Sequence, residues 1–352
     1  MKSLQERRLG ILGGGQLGRM FVQNALSWDI PLAVLDADAQ APCSGCVRDF
    51  VQGDLMDYEA VVAFGSGCDV LTVEIERVNT QALAHLQDRG VQVFPQPQVL
   101  ALIQDKGQQK AFFEREGFAT SPYILLDDRA ALVAAMRGRA TGVQKLRRDG
   151  YDGRGVQVLR SAEDAERKGF DAPSILEEMV DIAQEIAVMV ARNPQGEVRS
   201  YPPVVSVFHP EANLVEYLLS PAPLSEEQSS TAREMAEQII ERLGMVGILG
   251  VEFFLTSSGE WLVNEIAPRP HNSGHASMEA NRTSQFEQHL RAIMSLPLGD
   301  TAATSAAAMI NLLGEAGHAG QAYYEGIEQI AAMSQTYVHL YGKRQTRPFR
   351  KM

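Results

Sequence analysis

The 352-residue sequence predicts a mixed α/β and α+β protein in three units: an N-terminal domain over 1–97, a central domain over 98–300 and a small β-rich domain over 301–352. Three observations predict it. A buried strand, a glycine turn, a helix and a second strand follow one another over 8–36. Pro95 and Pro97 then interrupt the pattern where the first domain would close. Beyond them, apolar strands carrying isolated carboxylates dominate up to the basic segment at 342–352.

The composition, 45% hydrophobic and 22% charged, is that of a globular chain with ample material for buried cores. A net charge of -12 makes nucleic acid and anionic membrane surfaces poor partners. Phosphate recognition must then come from local basic clusters. Cys43, Cys46 and Cys68 are too few, and odd in number, for a secreted disulfide framework. Cys43 and Cys46 have CxxC spacing, but no second ligand pair accompanies them. The first residues lack an apolar signal core, and no run is long enough to span a bilayer. A cytoplasmic location is expected.

In the first domain, a strand over 8–12 leads into GGGQLG (13–18), a helix over 19–27 and a strand over 31–35 ending in Asp36. Gly13, Gly15 and Gly18 have G-x-G-x-x-G spacing, and an acid follows about 20 residues on, as in Rossmann-like dinucleotide sites. An NAD-dependent oxidoreductase is therefore one reading. The same turn serves any βαβ unit that binds phosphate or packs tightly, and no paired acid and base for hydride transfer follow. A strand over 69–76 ends in Glu74 and Glu76, whose alternation with apolar residues puts both on one side of the ligand crevice. A helix over 80–89 and a strand over 91–94 close the domain.

The central domain opens with a helix over 99–116 carrying Lys106 and Lys110, then an extended piece from Pro122, a helix over 129–137 and a strand into Lys145. The segment KLRRDGYDGRG (145–155) follows, with Gly150, Gly153 and Gly155 among three arginines and a lysine. Glycines let backbone N–H groups approach a ligand, and the cations suit phosphate oxygens. A lid over a triphosphate is one reading; a solvated hairpin turn is the plainer one. A strand over 174–180 carries Glu177 and Glu178, and Glu185 heads a strand over 186–190. Strands over 204–208 and 215–219 precede a helix N-capped by Ser225 that runs to Leu243.

The strand over 247–255 carries Glu252, and its hairpin partner over 259–267 carries Asn264 and Glu265. Carboxylates flanked by Val and Phe on neighbouring buried strands are costly unless paired. A hard divalent cation removes that cost, and Mg²⁺ bridging to phosphates is the usual arrangement. The alternative is a buried Lys or Arg beside each acid. The loop PRPHNSGH (268–275) gathers Arg269, His271, Asn272, Ser273 and His275 beside these strands, which suits anion and hydroxyl recognition better than a His-x3-His metal site. A helix over 284–294 and short strands over 308–313 and 336–341 complete the pattern. The segment 342–352 carries five cations and no acid, with Gly, Pro and Phe interleaved, as in an ordered phosphate-binding loop.

These segments together resemble an ATP-grasp enzyme, and most resemble the N5-carboxyaminoimidazole ribonucleotide synthetases of purine biosynthesis. The matching pieces are GGGQLGRM, VEIE, QKLRRDGYDGRG, LEE with Glu185, VEFF, NEIAPRPHNSGH, SQFEQHLRAI and YGK followed by RPFRKM, in family order over nearly the whole chain. YDGRG and NEIAPRPHNSGH are highly specific. The resemblance implies an ATP-grasp fold with a Rossmann-like pre-ATP-grasp domain, ATP and Mg²⁺ as cofactors, bicarbonate and aminoimidazole ribonucleotide as substrates, and a homodimer. Lys106, Lys145 and the 150–156 loop, with Gly150, Gly153, Gly155 and Val156, would hold ATP phosphates. Glu177, Glu178 and Val180 would lie at the adenine, Glu185 at the ribose and Asn264 in the same nucleotide site. Glu252 and Glu265 would ligate Mg²⁺. Gln16, Leu17, Glu74, Asn272, Lys343, Arg350 and Lys351 would bind the ribonucleotide, the cations taking its 5′-phosphate. Tyr151, Asp152 and Arg154 would line the bicarbonate side, with Arg269, His271 and Ser273 as further catalytic groups.

Family members usually continue past RKM with GH and a further tail, so the C-terminal domain would extend beyond residue 352. The segment 208–213 is longer than in some members, so His209 carries no nucleotide assignment. Three other classes compete with the carboxylase. They are a formate-dependent ATP-grasp transformylase acting on glycinamide ribonucleotide, the NAD-dependent oxidoreductase, and a non-catalytic binding module, which the carboxylate pair opposes.

Overall fold

The computed structural model describes residues 2–148, 150, 155–208 and 215–352. The first unit is β1 (Leu9–Leu12), α1 (Gln16–Leu26), β2 (Leu32–Asp36), β3 (Asp49–Gln52), α2 (Tyr58–Gly65), β4 (Val70–Val73), α3 (Thr80–Asp88) and β5 (Gln92–Val93). Its strands pair in parallel in the order β3-β2-β1-β4-β5. The order reverses between β1 and β4, and open α/β sheets bind ligands at that point, outside the strands' carboxyl ends.

The rest of the chain comprises α4 (Pro97–Ile103), α5 (Lys106–Glu116), β6 (Tyr123–Leu126), α6 (Arg129–Met136), β7 (Gly142–Leu146), β8 (Val156–Leu159), α7 (Ala162–Lys168), β9 (Ser174–Glu177), β10 (Ile182–Arg192), β11 (Val198–Ser200), β12 (Val204–Phe208), β13 (Val215–Ser220), α8 (Glu226–Leu243), β14 (Gly247–Thr256), β15 (Trp261–Ala267), α9 (Ser277–Ala280), α10 (Gln285–Ile293), β16 (Ala307–Ile310), β17 (Gly320–Gln321), α11 (Ile327–Ala331) and β18 (Gln345–Thr346). One sheet runs β6-β9-β7-β8 and a larger one β15-β14-β10-β12-β13-β16, with β11 on β10. One face of the larger sheet buries Ile186, Val188, Val190, Leu249, Val251, Phe253 and Val263 against Phe112 and Phe113 of α5 and Ile239 and Ile240 of α8. Burial of these side chains, about 1.5–3 kcal/mol each, is what fixes the opposite face toward the crevice.

His289 of α10 ties the first unit to the second. Its Nδ1 accepts the Ile248 N–H at 3.1 Å. Nε2 therefore carries the proton and donates to Thr72 Oγ1 on β4 at 2.9 Å. Burial holds this imidazole neutral, its pKa down near 3.

Several expected elements differ. The helix over 99–116 is two helices, because Asp105 caps α5 by accepting the Gly107 and Gln108 N–H groups. Helix α1 begins at Gln16, one turn early, since the glycine turn feeds directly into it. Glu74 and Glu76 lie beyond the end of β4 in a bend, so strand alternation does not orient them. Strand β9 stops at Glu177, short of Val180, and Glu185 lies inside β10 rather than at its head. No strand forms over 336–341, and the one expected over 308–313 is the shorter β16, which pairs with β13 of the central sheet.

Candidate active site

The acids meet on the open face of the larger sheet. Glu252 on β14 stands directly opposite Glu265 on β15. A bulge follows, so that Phe253 pairs with Val263 and Asn264 is the extra residue. Such a bulge re-aims a side chain, and Asn264 accordingly faces the crevice beside Glu265 instead of the core. On β10, Glu185 is paired with Phe254, two residues on from Glu252, which places Glu185, Phe254 and Glu252 on one face. The side chains of Glu252 and Glu265 are 30% and 39% exposed, so they line a crevice and are not sunk in the core as their apolar neighbours suggested.

Helix α5 supplies the countercharge. Lys106 and Lys110 are four residues apart and share a face. Lys106 pairs with Glu265, so one acid does find a lysine, as the alternative to a metal site required. Lys110 Nζ lies 2.6 Å from Glu177 Oε1, and Lys145 Nζ lies 2.7 Å from Glu177 Oε2. Lys145 also donates to Asn264 Oδ1 at 2.9 Å and stands 6.0 Å over the Phe254 ring. The Lys106 ammonium pulls the Glu265 carboxyl well down. Burial, then the charges of Glu265 and Glu185, push Glu252 up. Burial also raises Glu185, to about 7. Three carboxyls thus face one crevice, and burial raises two of them, Glu185 and Glu252.

A second crevice lies at the switch between β1 and β4. Glu74 Oε1 accepts the Leu17 N–H at 3.1 Å, and Asp36 Oδ2 accepts the Gly14 N–H at 2.6 Å. A Cβ at Gly15 would sit 2.5 Å from Glu74 Oε1, and Gly13 adopts φ +102. The glycines therefore make room for a carboxylate at the helix N-terminus, where a dinucleotide would put its pyrophosphate. This opposes the oxidoreductase reading. Lys343 Nζ donates to Gln16 Oε1 at 2.5 Å and to the Lys351 carbonyl at 2.6 Å, which brings the basic segment onto this turn.

The PRPHNSGH loop joins the two crevices. Arg269 Nε lies 2.9 Å from Glu76 Oε1. His271 packs over Gly250 and brings Nε2 within 3.5 Å of Glu252 Oε1. Its Nδ1 faces the Ser273 hydroxyl at 2.9 Å. Among the described residues no hydrogen-bond partner meets the buried Asn272 Oδ1.

The structure thus gathers Lys106, Lys145, Glu177, Glu185, Glu252, Asn264, Glu265 and His271 at one crevice, and Gln16, Leu17, Glu74, Lys343 and Lys351 at the other. Gly150 follows β7, and Gly155 and Val156 stand at the start of β8; Tyr151, Asp152, Gly153 and Arg154 lie outside the described residues, as does His209. The Glu178 side chain pairs with Arg139 at the surface, 3.4 Å away, and not in the crevice. Arg350 donates to the Gln345 carbonyl at 2.8 Å in an exposed position. Sequence reasoning left Lys110 and Thr120 without roles. The i, i+4 spacing from Lys106 was the signal for the first; nothing local marked the second. Among the described residues no group of three or more His, Cys, Asp or Glu is set to hold a metal, and no helix is long and apolar enough to cross a membrane.

Comparison with known proteins gives the family. Family models match residues 6–104 (ribonucleotide synthetase preATP-grasp domain), 111–286 (ATP-grasp domain) and 307–352 (phosphoribosylaminoimidazole carboxylase C-terminal domain). The N5-carboxyaminoimidazole ribonucleotide synthase of Synechococcus elongatus is 36% identical, over 98% of this chain and 88% of its own length. The chain spans 66% of the longer phosphoribosylaminoimidazole carboxylase of Ogataea methanolica, also at 36% identity. The crystal structure of N5-carboxyaminoimidazole ribonucleotide synthetase from Thermotoga maritima superposes with a TM-score of 0.89 at 41% identity, over 98% of this chain and 92% of that one. The Aspergillus clavatus synthase, solved with ADP and 5-aminoimidazole ribonucleotide, gives 0.89 at 31%, over 99% and 93%.

Proposed function

The chain belongs to the N5-carboxyaminoimidazole ribonucleotide synthetase family of ATP-grasp ligases, and from that premise we propose that it carboxylates 5-aminoimidazole ribonucleotide with ATP and bicarbonate, in purine biosynthesis. The observation that carries the reading is the crevice between the two sheets, where Lys106 and Lys145 face Glu252, Glu265 and Asn264.

Bicarbonate is a poor electrophile. Attack of its oxygen on the γ-phosphorus of ATP releases ADP and leaves carboxyphosphate, which yields CO₂ and phosphate beside the exocyclic amine of the ribonucleotide. That amine takes up the CO₂ and loses a proton. Phosphoryl transfer asks the protein chiefly for positioning and charge stabilisation. Lys106 and Lys145 supply positive charge from the α5 and β7 sides. The second crevice takes the ribonucleotide: Lys343 and Lys351 suit its 5′-phosphate, and Glu74 and the unsatisfied Asn272 Oδ1 suit hydroxyl or amine donors. The 150–155 loop would exclude water from the labile anhydride.

The carboxylates fit Mg²⁺. Glu252 and Glu265 stand opposite each other with an amide oxygen alongside, and Mg²⁺ takes one or two carboxylates and completes its shell with water and phosphate oxygens. When bound it would offset charge on the β- and γ-phosphates. We also read the enzyme as a cytoplasmic homodimer. The support is apolar side chains exposed in the C-terminal unit, among them Ile310, Tyr323, Met333 and Tyr337, and three free cysteines.

The test is ADP release scanned against bicarbonate, formate, and aminoimidazole and glycinamide ribonucleotides. Turnover should require bicarbonate and aminoimidazole ribonucleotide together. A rate unchanged when either is omitted, or a preference for formate and glycinamide ribonucleotide, refutes the assignment.

A further inference from the structure

A polar ring runs across the crevice and links Lys145 and Asn264 to two residues the mechanism above does not use, Lys110 and Thr120. It starts at the Val263 carbonyl on β15, which accepts from the Thr120 hydroxyl at 2.6 Å. Thr120 Oγ1 in turn accepts from Lys110 Nζ at 2.6 Å. Lys110 reaches one oxygen of Glu177 and Lys145 reaches the other. Lys145 then donates to Asn264, the residue after Val263. The ring therefore leaves β15 and returns to it one residue later, having passed through α5 and the smaller sheet.

We propose that Lys110 is a positioning residue for ATP binding. Through Glu177, with Thr120 fixing its own ammonium, it holds Lys145 against Asn264 in the crevice. Three observations carry this. The Lys110 and Glu177 side chains are each 3% exposed, so Lys110 touches no ligand in the crevice and its charge is committed to Glu177. Each Glu177 oxygen forms an ion pair with a different ammonium group, so the carboxylate faces lysines, and any contact with adenine would come from its backbone. Lys145 is the ring's cation on the crevice side, beside Phe254 and Asn264.

Without Lys110, Glu177 keeps a single partner in a buried setting. Lys145 then becomes its sole counterion and is drawn inward, away from the phosphate path. Removing one of the two cations leaves a buried carboxylate with half its countercharge, which is why the effect reaches beyond the missing side chain.

The proposal rests on the ATP reading above, so the experiment separates the two. Mg²⁺–ADP binding is measured by calorimetry, and steady-state kinetics are run with ATP varied and then with the ribonucleotide varied. Lys110→Met, which keeps the stem and removes the charge, should raise the Kd for ADP and the KM for ATP about tenfold, with the ribonucleotide KM within about twofold of wild type. Lys110→Arg should recover most of the loss. A folded Lys110→Met with wild-type ATP KM, or with both KM values raised together, overturns the relay. Should Lys110→Met not fold, Thr120→Val decides the matter: it keeps both charges and frees the ammonium, and an unchanged ATP KM overturns the relay just as well. A wild-type enzyme that binds no Mg²⁺–ADP defeats the nucleotide reading itself, and the relay falls with it.

Discussion

Arg147 grips Asp105 through two parallel hydrogen bonds, Nε to Oδ1 at 2.9 Å and Nη2 to Oδ2 at 2.7 Å. Arg147 is the first residue after β7, and Asp105 is the N-cap of α5, the helix that carries Lys106 and Lys110. The Lys106 N–H also donates to the Arg147 carbonyl at 2.9 Å. One arginine of the glycine-rich segment is thus committed to the start of α5 rather than to phosphate. Asp105→Asn keeps a capping oxygen but loses the charged fork, and should cost about 1–3 kcal/mol in urea unfolding. A loss within error would show the fork to be an idle contact.

Glu265→Gln should keep the fold and lose Mg²⁺-dependent turnover by about 10²–10³-fold, the scale for removing a charge-stabilising group. Circular dichroism establishes the fold, and ADP release at varied Mg²⁺ gives the loss. Activity near wild type would refute a ligand role for this carboxylate.

The raised carboxyls predict a pH response. Glu185 is pushed from 4.5 to about 7, and Glu252 is also raised. A carboxyl with a raised folded-state pKa holds its proton more tightly folded than unfolded. Its contribution to stability is present below 4.5 and is lost as pH climbs to about 7. The ligand-free protein should therefore lose stability between pH 5 and about 7 through these groups. Glu265 acts oppositely, its contribution lost as pH falls below 4.5. Mg²⁺–ADP should reverse the high-pH loss and release protons on binding. Calorimetry at pH 6.5 in buffers of different ionisation enthalpy reads that release; heats independent of buffer would contradict it.

Gly15→Ala would place a methyl 2.5 Å from Glu74 Oε1 and force that carboxylate off the Leu17 N–H. The KM for the ribonucleotide should rise about tenfold or more, with ATP KM close to wild type, since one charged hydrogen bond is worth about 1.5–3 kcal/mol. Equal rises in both KM values would mean that Glu74 serves the fold rather than the substrate.

Much of this was legible in the chain. GGGQLG announced its turn, Ser225 its helix, and Glu252 and Glu265 their hairpin, because caps, turns and alternation are local signals. The break at Asp105 was legible in principle, as an Asx residue two positions before Gly107, yet a long apolar period concealed it. The Asn264 bulge was not legible. Strict alternation puts neighbours such as Asn264 and Glu265 on opposite faces, and only the pairing with β14 shows an extra residue there. Nor could the sequence say that Glu74 fills its own glycine turn, since that contact joins residues far apart in the chain.

Lys343 closes onto Gln16 across 327 positions. Parallel pairing and helix packing can organise the nucleotide-like turn as soon as β4 is made, but its basic wall arrives some 270 residues later in the chain by the order of the elements. During synthesis the glycine turn is thus an unfinished cup. On the proposed assignment of this crevice to the ribonucleotide, the emerging polypeptide should acquire affinity for it in one late step, when Lys343 arrives.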